Sequence, residues 1–229
     1  MPARFHATPK EAISEIVRDN VFIGDYTFRI DRPAHSDRLF DHPWVRAAYA
    51  ADRYAPYWTQ LWPSARMLAK VIVRENWPAG AGPVLEIGCG LGLAGIAALA
   101  RGLEVVFSDV DQTALEFAAG NARLNGFQAF RTLLLDFRCP PSDEKYSVVI
   151  GSDLMYEEQM VDPLVGLLRS VLAPGGVCLI TDPDRAPARV FRWKLGEAGY
   201  DVVPELVRAG EPGGERTKGT LYRIREMLA

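Results

Sequence analysis

From Pro83 onward, short apolar runs alternate with longer segments whose apolar residues recur at helical spacing. Short continuous apolar runs are typical of strands buried on both faces of a sheet. The predicted strands are 84–87, 104–108, 131–135, 146–151 and 177–181, and the predicted helices are 93–101, 111–125, 158–172 and 188–198. Strands separated by helices form right-handed crossover units, so this pattern predicts a parallel sheet.

Two further predicted strands, 200–207 and 220–225, are joined only by a loop rich in Gly and Glu. Such a link can produce an antiparallel neighbour but cannot carry a helical crossover. The sequence therefore predicts an α/β fold, a Rossmann-like seven-stranded and mostly parallel sheet with a C-terminal antiparallel β-hairpin. Ordinary dinucleotide-binding domains usually lack that ending.

The segment before Pro83 has a mixed pattern. The predicted elements are a helix over 9–19, a hairpin over 21–30 and helices over 42–53 and 62–75. We expect two parts, an N-terminal helical and hairpin extension at residues 1–55 and a sheet domain at residues 56–229.

Composition narrows the classes of function. Lys and Arg number 26 against 29 Asp and Glu, a formal net charge of −3, whereas nucleic-acid binders normally show a basic face. The three cysteines form no CxxC pair, which is typical of reduced thiols. The first residues lack the apolar core of a signal peptide, and no apolar run approaches the roughly 18 residues of a membrane span. We expect a cytoplasmic protein without nucleic-acid or membrane partners, and nothing demands more than a monomer.

The sharpest motif is Glu86-Ile-Gly88-Cys-Gly90-Leu-Gly92, which follows a predicted strand and opens a helix. Glycines allow a tight turn and a close approach of main chain to a ligand, which the first helical N–H groups then face. Asp109, at the end of the next strand, is placed to accept hydrogen bonds from both ribose hydroxyls. The same residues also spell GxGxxG with an acid about 20 positions on, as nicotinamide dinucleotides require. A tight turn without a ligand is the structural alternative.

Two features favour S-adenosylmethionine over a dinucleotide. A carboxylate at Glu86 suits the methionine ammonium but would repel a pyrophosphate, and no second domain is expected to hold a hydride acceptor. After the strand 131–135, Asp136 is placed to accept from the adenine amino group, and Phe137 to stack on the base. The alternative is an ordinary strand-end carboxylate beside a core phenylalanine. The three histidines show no ligand spacing, so no metal is expected.

Several of these motifs together resemble one family. The glycine motif, Asp109, Asn121-Ala-Arg-Leu-Asn125, Tyr57-Trp58-Thr-Gln-Leu-Trp62-Pro63 and Ser152-Asp153-Leu-Met-Tyr156 are similar to those of the seven-β-strand methyltransferases of family 16. That family is rich in protein-lysine methyltransferases. The resemblance spans roughly residues 20–227. It implies S-adenosylmethionine as cofactor, S-adenosylhomocysteine as product and a protein as substrate.

The resemblance also implies roles for individual residues. The expected cofactor contacts are Trp62, Glu86, Gly88, Gly90, Gly92, Asp109, Asp136, Phe137 and Ser152. Asp153 and Tyr156 would face the substrate nitrogen. Within the family, Asp182-Pro183-Asp184-Arg185 is most similar to methyltransferases of the electron-transfer flavoprotein β subunit, which carry Asp-Pro-Gly-Arg. Asp182 and Arg185 fit either a substrate rim or a strand-end turn.

Methyl transfer from a sulfonium requires an uncharged nucleophile in near-attack geometry. A carboxylate raises the pKa of a neighbouring amine, so we expect Asp153 to orient the amine and not to act as a strong base. We expect Tyr156 and Trp58 to form aromatic walls that tolerate an alkylammonium product, although Trp58 and Trp62 could instead pack the N-terminal layer. Two alternatives stay open: a small-molecule N-methyltransferase, and a cofactor-binding scaffold without turnover.

Overall fold

The computed structural model of the chain describes residues 4–77, 80–140, 144–210, 214 and 216–227. Before the main sheet lie β1 (Ile16–Ile23), β2 (Tyr26–Pro33), α1 (Ser36–Phe40), α2 (Pro43–Asp52) and α3 (Pro63–Arg74), with single 3₁₀ turns at Lys10–Ala12 and Tyr57–Thr59. The predicted hairpin and the predicted helices at 42–53 and 62–75 are confirmed.

The predicted helix over 9–19 is wrong. Only Lys10–Ala12 forms a helical turn, and from Ile16 the chain is strand β1, paired antiparallel with β2. Ile16 and Val17 also fit helical spacing, but Ile16 is 56% exposed. The ladder with β2 satisfies the main-chain donors and acceptors of these residues, and this tertiary pairing outweighs the local periodicity.

The main sheet has the predicted architecture. Its elements are β3 (Val84–Ile87), α4 (Leu93–Ala100), β4 (Val105–Asp109), α5 (Gln112–Leu124), β5 (Arg131–Leu134), β6 (Tyr146–Ser152), α6 (Val161–Val171), β7 (Leu172–Asp182), α7 (Pro187–Glu197), β8 (Tyr200–Ala209) and β9 (Thr217–Glu226). The seven strands are ordered β5-β4-β3-β6-β7-β9-β8, and β9 runs in the opposite direction to the other six. The Rossmann-like sheet ending in an antiparallel hairpin is therefore confirmed.

Several boundaries differ from the prediction, and two of them change how an element begins. The helix expected from 158 begins as a 3₁₀ turn at Glu158–Met160 and becomes α-helical at Val161. Strand β7 begins at Leu172, ahead of the glycines that were expected to precede it. Leu172 pairs with Tyr146, and the register then shifts before Val148 pairs with Val177. The Pro-Gly-Gly stretch therefore lies inside the strand as an irregularity and not ahead of it.

Helices cover both faces of the sheet. The buried residues of α3, α4 and α5 form one apolar layer together with the inner face of the β1–β2 hairpin, and those of α6 and α7 form the other. Asn121, buried on α5, and Asn125, half-buried directly after it, anchor the hairpin. Asn121 exchanges hydrogen bonds with the main chain of Asp31, at 2.8 and 3.1 Å, and Asn125 with that of Arg29, at 2.9 and 2.7 Å. These two asparagines, which belong to the motif shared with the family, therefore connect the β1–β2 hairpin to α5.

The strand order reverses direction between β3 and β6, which places a crevice beyond the carboxyl ends of β3, β4 and β6. Ligands of open α/β sheets bind at such a switch point. Among the residues that the structure describes, no helix has the length and apolarity needed to cross a bilayer.

Candidate functional site

A single crevice of about 440 Å³ lies at this edge of the sheet. Of the predicted site residues, all but Glu86 line it: Trp62, Gly88, Gly90, Gly92, Asp109, Asp136, Phe137, Ser152, Asp153 and Tyr156. The fold therefore brings together residues that the sequence separates by more than ninety positions. The crevice has a glycine-loop end and an aromatic end.

The glycine loop requires its glycines. Gly88, Gly90 and Gly92 have φ values of +60°, +51° and +81°, which L-residues with a Cβ rarely adopt. A Cβ on Gly88 would lie 2.7 Å from the Leu154 side chain and 3.7 Å from the Phe137 ring. The loop is thus shaped so that main chain forms one wall of the crevice and Phe137 flanks it.

Asp109 closes the loop from the neighbouring strand. Its carboxylate accepts from Gly90 N at 2.9 Å and from Asp111 N at 3.1 Å. Burial raises its pKa to about 6, and the N–H bonds oppose this shift. Each carboxylate oxygen has two lone pairs, so Asp109 keeps the capacity to accept two hydroxyl donors from the crevice. This geometry fits the predicted ribose contact.

Glu86 lies on β3 behind the loop. Its side chain is 3% exposed, and Oε2 accepts from Gly95 N at 3.0 Å. Burial raises the pKa of this carboxyl to about 8; the Gly95 bond lowers it and nearby Asp109 raises it. A buried carboxylate without a cation is unfavourable, so the approach of an ammonium group would stabilise its ionised form. Glu86 lies outside the crevice lining, however, so its contact with an amino-acid ammonium stays a prediction.

Asp136 has a second set of partners that the sequence did not reveal. Arg138 donates to both of its oxygens through Nε at 2.8 and 3.1 Å and through Nη2 at 2.9 Å, and Arg4 N adds a bond at 3.0 Å. Burial opposes ionisation, but these donors outweigh it and lower the pKa of Asp136. An adenine contact at Asp136 stays a prediction.

The opposite end of the crevice is built around Asp153, directly after β6. Its main chain has φ +61° and donates to Thr181 O at 2.9 Å, which directs the side chain inward. The guanidinium of Arg185 forms an ion pair with Asp153. Asp182 accepts from Arg185 N at 2.7 Å, which fits the strand-end turn. Arg185 lines the crevice, and a substrate-rim role for it stays a prediction.

Asp184 stands where the similar Asp-Pro-Gly-Arg motif has glycine. Its φ is +65°, in the left-handed region that glycine enters freely and aspartate tolerates better than most residues. Its carboxylate accepts from the Thr220 hydroxyl at 2.6 Å. The backbone conformation expected of a glycine is therefore kept in this chain.

The aromatic wall contains Tyr156, as expected, and also Tyr57, which was not expected. The Tyr57 and Tyr156 rings lie 5.2 Å apart, and Trp62 Nε1 donates to Tyr57 O at 2.8 Å. Trp58 also lines the crevice, but it donates its indole N–H to Thr8 and Asp111, at 3.3 and 3.2 Å. Tyr57 thus takes the position beside Tyr156 that was expected of Trp58.

Trp58 has a mainly structural role, because it is 7% exposed and its ring packs 5.0 Å from that of Phe117. We expect Trp58→Phe to lower the free energy of unfolding by about 1 to 3 kcal/mol, since a buried donor and packed volume are lost. The measurement is denaturant unfolding beside a cofactor titration. A cofactor affinity that falls more than tenfold while stability is unchanged would contradict this assignment.

A buried polar network at Asp111 was also missed. Asp111 accepts from Thr8 N, from Thr113 N at 2.6 Å and from the hydroxyls of Thr8 and Tyr54. Next to it, His6 stacks on Tyr54 at 3.8 Å and lines the crevice. Thr8 and Asp111 are 103 positions apart, so no local pattern predicts their contact.

Other chemistries find little support in the described residues. No group of three or more His, Cys, Asp or Glu side chains there is arranged to hold a metal ion. None of the three cysteines forms a disulfide within the described residues. Burial raises the pKa of Cys89 in the glycine loop, so its thiolate form is disfavoured.

Comparison with known proteins agrees with this geometry. The family described as lysine methyltransferase matches residues 55–190. An electron transfer flavoprotein beta subunit lysine methyltransferase of Xenopus laevis is 32% identical over 137 residues, which is 57% of this chain and 54% of that protein. The protein-lysine N-methyltransferase rrg1 of Schizosaccharomyces pombe is 28% identical over 178 residues, 71% of this chain and 58% of that protein. The chain thus spans about half the length of the curated relatives it matches.

Solved structures show the same fold. A ribosomal protein L11 methylase from Lactobacillus delbrueckii subsp. bulgaricus has a TM-score of 0.57 at 21% identity, covering 72% of this chain and 79% of its own. The glycopeptide N-methyltransferase MtfA, crystallised with S-adenosylmethionine, has a TM-score of 0.57 at 17% identity, covering 72% and 94%. Because the family match extends over more than half of the sequence, this chain belongs to the lysine methyltransferase family.

Proposed function

We propose that this protein transfers a methyl group from S-adenosylmethionine to the side-chain amine of a lysine in a protein substrate. The observation that carries the proposal is the shared crevice. One end holds the positive-φ glycine loop and Asp109, and the other holds Asp153 beside Tyr57 and Tyr156. A cofactor end and an amine end that open into one space are what a direct transfer requires.

The cofactor end offers a partner for each part of the ligand. Glu86 suits the ammonium, Asp109 the ribose hydroxyls, and Phe137 a face of the adenine, while Gly88 and Gly90 allow main chain to approach. When bound, S-adenosylmethionine supplies a methyl group on a positively charged sulfur. S-adenosylhomocysteine is the product.

At the amine end, the lysine nitrogen must be neutral and must lie in line with the methyl group of the cofactor. A lysine with a pKa of roughly 10.4 is neutral in only about one molecule in 2,500 at pH 7, so the site must favour the neutral form. The nitrogen lone pair then forms the N–C bond as the C–S bond breaks, its electron pair passes to sulfur, and the nitrogen afterwards releases a proton.

Asp153 is suited to hold that amine. Apart from the ion pair with Arg185, its two oxygens are buried and accept no hydrogen bond within the described part of the chain. Buried carboxylate oxygens require donors, and an amine N–H supplies one. Tyr57 and Tyr156 flank this position, and their ring faces tolerate the positive charge of a methylated ammonium.

A protein substrate is favoured over a small molecule by the mouth of the crevice. Tyr156 is 42% exposed at its rim, and Glu158 beyond it is also exposed. An open rim suits a lysine side chain reaching in from a protein surface, and the carboxylates of Glu157 and Glu158 near it would attract the charge of the lysine. The names of the relatives, protein-lysine and flavoprotein-subunit methyltransferases, support the same substrate class.

The test is to incubate the pure protein with radiolabelled S-adenosylmethionine and host lysate. We expect labelled protein bands, with the label on lysine after hydrolysis. Label only in the small-molecule fraction would favour the small-molecule alternative. Calorimetry completes the test: uptake of S-adenosylhomocysteine is expected, and binding of a nicotinamide dinucleotide in its place would overturn the proposal. Cofactor uptake without transfer to any acceptor would favour the scaffold.

A further inference from the structure

Arg185 is held in the crevice at both its main chain and its side chain. Its N–H donates to Asp182 Oδ1 at 2.7 Å, and its guanidinium forms the ion pair with Asp153 and lies 3.7 Å from Asp182 Oδ2. The Arg185 side chain is 29% exposed, whereas those of Asp153 and Asp182 are 8% and 0% exposed. One cation therefore serves two buried carboxylates next to the position proposed for the substrate amine.

This arrangement bears on a conflict within the proposed chemistry. A carboxylate within about 4 to 6 Å of an amine favours the charged ammonium and raises its pKa, typically by one to three units. Asp153 acting alone would therefore hold the lysine in its unreactive form while orienting it. A cation beside the carboxylate removes much of this effect, because the field of a close ion pair is far weaker than that of a single charge.

We propose that Arg185 is a positioning residue for methyl transfer whose guanidinium compensates the charge of Asp153, so that the carboxylate orients the lysine amine without stabilising its protonated form. This inference rests on the proposed function and extends it. The Asp153 oxygens orient the lysine amine by accepting its hydrogen bonds, and Arg185 offsets the negative charge of Asp153.

Other charged and titratable groups also face this part of the crevice. They are Tyr156 and Glu157 after β6, Tyr57 before α3, Asp109 at the end of β4 and Arg138 after β5. Asp182, the last residue of β7, contacts Arg185 but is buried outside the lining, and Asp184 is exposed outside it. Burial raises the pKa of Asp182 to about 6, so near pH 8 this carboxyl is ionised. Asp153, Asp182 and Arg185 then sum to a single negative charge, and without Arg185 they sum to two.

The test is the pH dependence of single-turnover methylation, with excess enzyme, radiolabelled cofactor and the acceptor protein identified by lysate labelling. Loss of Arg185 leaves the carboxylates uncompensated, raises the pKa of the bound amine and moves the rising limb of the profile to higher pH. We expect Arg185→Gln to be about tenfold slower at pH 7 for each pH unit by which that limb moves, and to approach the parent rate above the new pKa. Arg185→Lys, which keeps the charge, should retain most of the parent profile.

Two further variants make the result decisive. Asp182→Asn removes a negative charge but keeps an oxygen to accept from Arg185 N, so its limb should move in the opposite direction, to lower pH. Arg189→Gln removes the same charge from an exposed position on α7, and its profile should match the parent. Calorimetry with S-adenosylhomocysteine should give near-parent affinity for all four variants.

The outcomes separate this inference from the proposed function. The single-turnover rate of Arg185→Gln could be lower than that of the parent by the same factor at every pH, or equal to it. Either result would overturn the role of Arg185 while leaving methyl transfer intact. If Arg185→Gln fails to fold, Asp182→Asn decides the question. A pH–rate profile of Asp182→Asn whose rising limb does not move to lower pH would equally overturn the role of Arg185. No transfer by the parent protein at any pH would instead contradict the proposed function itself.

Discussion

Replacing Asp153 with asparagine is expected to slow methyl transfer by about a hundredfold or more while S-adenosylhomocysteine binds with near-parent affinity. Misplacement of a reacting group by about 1 Å is enough for an effect of that size. Asparagine tolerates the φ of +61° at this position, so the main chain should be preserved. Asp153→Ala should also abolish transfer, but alanine adopts this conformation less readily.

The measurement is a single-turnover assay beside calorimetry with S-adenosylhomocysteine. A matched control is Asp184→Asn, the same substitution at another positive-φ aspartate, which is exposed. We expect its rate to stay within about threefold of the parent, as is usual for surface substitutions. Asp153→Asn could instead weaken the binding of S-adenosylhomocysteine by about a hundredfold. That result would place Asp153 at the cofactor end of the crevice.

Glu86→Gln is expected to have two effects of opposite sign. Cofactor affinity should fall about 10- to 100-fold, because the proposed interaction between the carboxylate and the ammonium would lose one of its two charges. The protein without cofactor should become more stable at alkaline pH. The pKa of Glu86 is about 8 when folded against an ordinary value of 4.5, so the folded state retains a proton that the unfolded chain releases.

The sign of this stability effect depends on pH. Below pH 4.5 the carboxyl is protonated in both states, and the parent and Glu86→Gln should differ little. Between pH 4.5 and about 8 the parent loses stability progressively, and above that the cost is constant, roughly 3 to 5 kcal/mol. Denaturant unfolding at pH 5 and pH 9 measures the difference. Glu104→Gln, an exposed position one strand away, should show no such difference, and a parallel response of both variants would refute the explanation.

The sequence predicted what depends on local pattern. Strand and helix alternation determined the sheet, and the missing crossover after residue 207 predicted the final hairpin that the structure contains. Gly88, Gly90 and Asp109 were identifiable because a strand, a glycine turn and a second strand end place them at one edge regardless of the remainder of the chain. Asp153 and Tyr156 were reached by resemblance to a family motif.

What the sequence could not predict depends on contacts between distant segments. Residues 9–19 have a helical spacing of apolar side chains, yet pairing with β2 decides their conformation. Tyr57 and Trp58 are adjacent aromatic residues, and only the packed structure shows that Trp58 turns towards Asp111. The pairing of Arg185 with Asp153 likewise depends on where β6 and β7 end. A cytoplasmic location, a monomeric state and the absence of nucleic-acid partners stay predictions.

The Asp111 network has a consequence for the order in which the protein forms. Thr8 and His6 reach the far end of the crevice through partners at Asp111 and Gln112, more than a hundred positions later in the chain. Closing so long a loop is entropically costly until the intervening sheet has assembled. We therefore expect the N-terminal segment to pack against this end of the crevice only after residues 110–112 have been synthesised, so that the glycine turn is present in the growing chain before the crevice is complete.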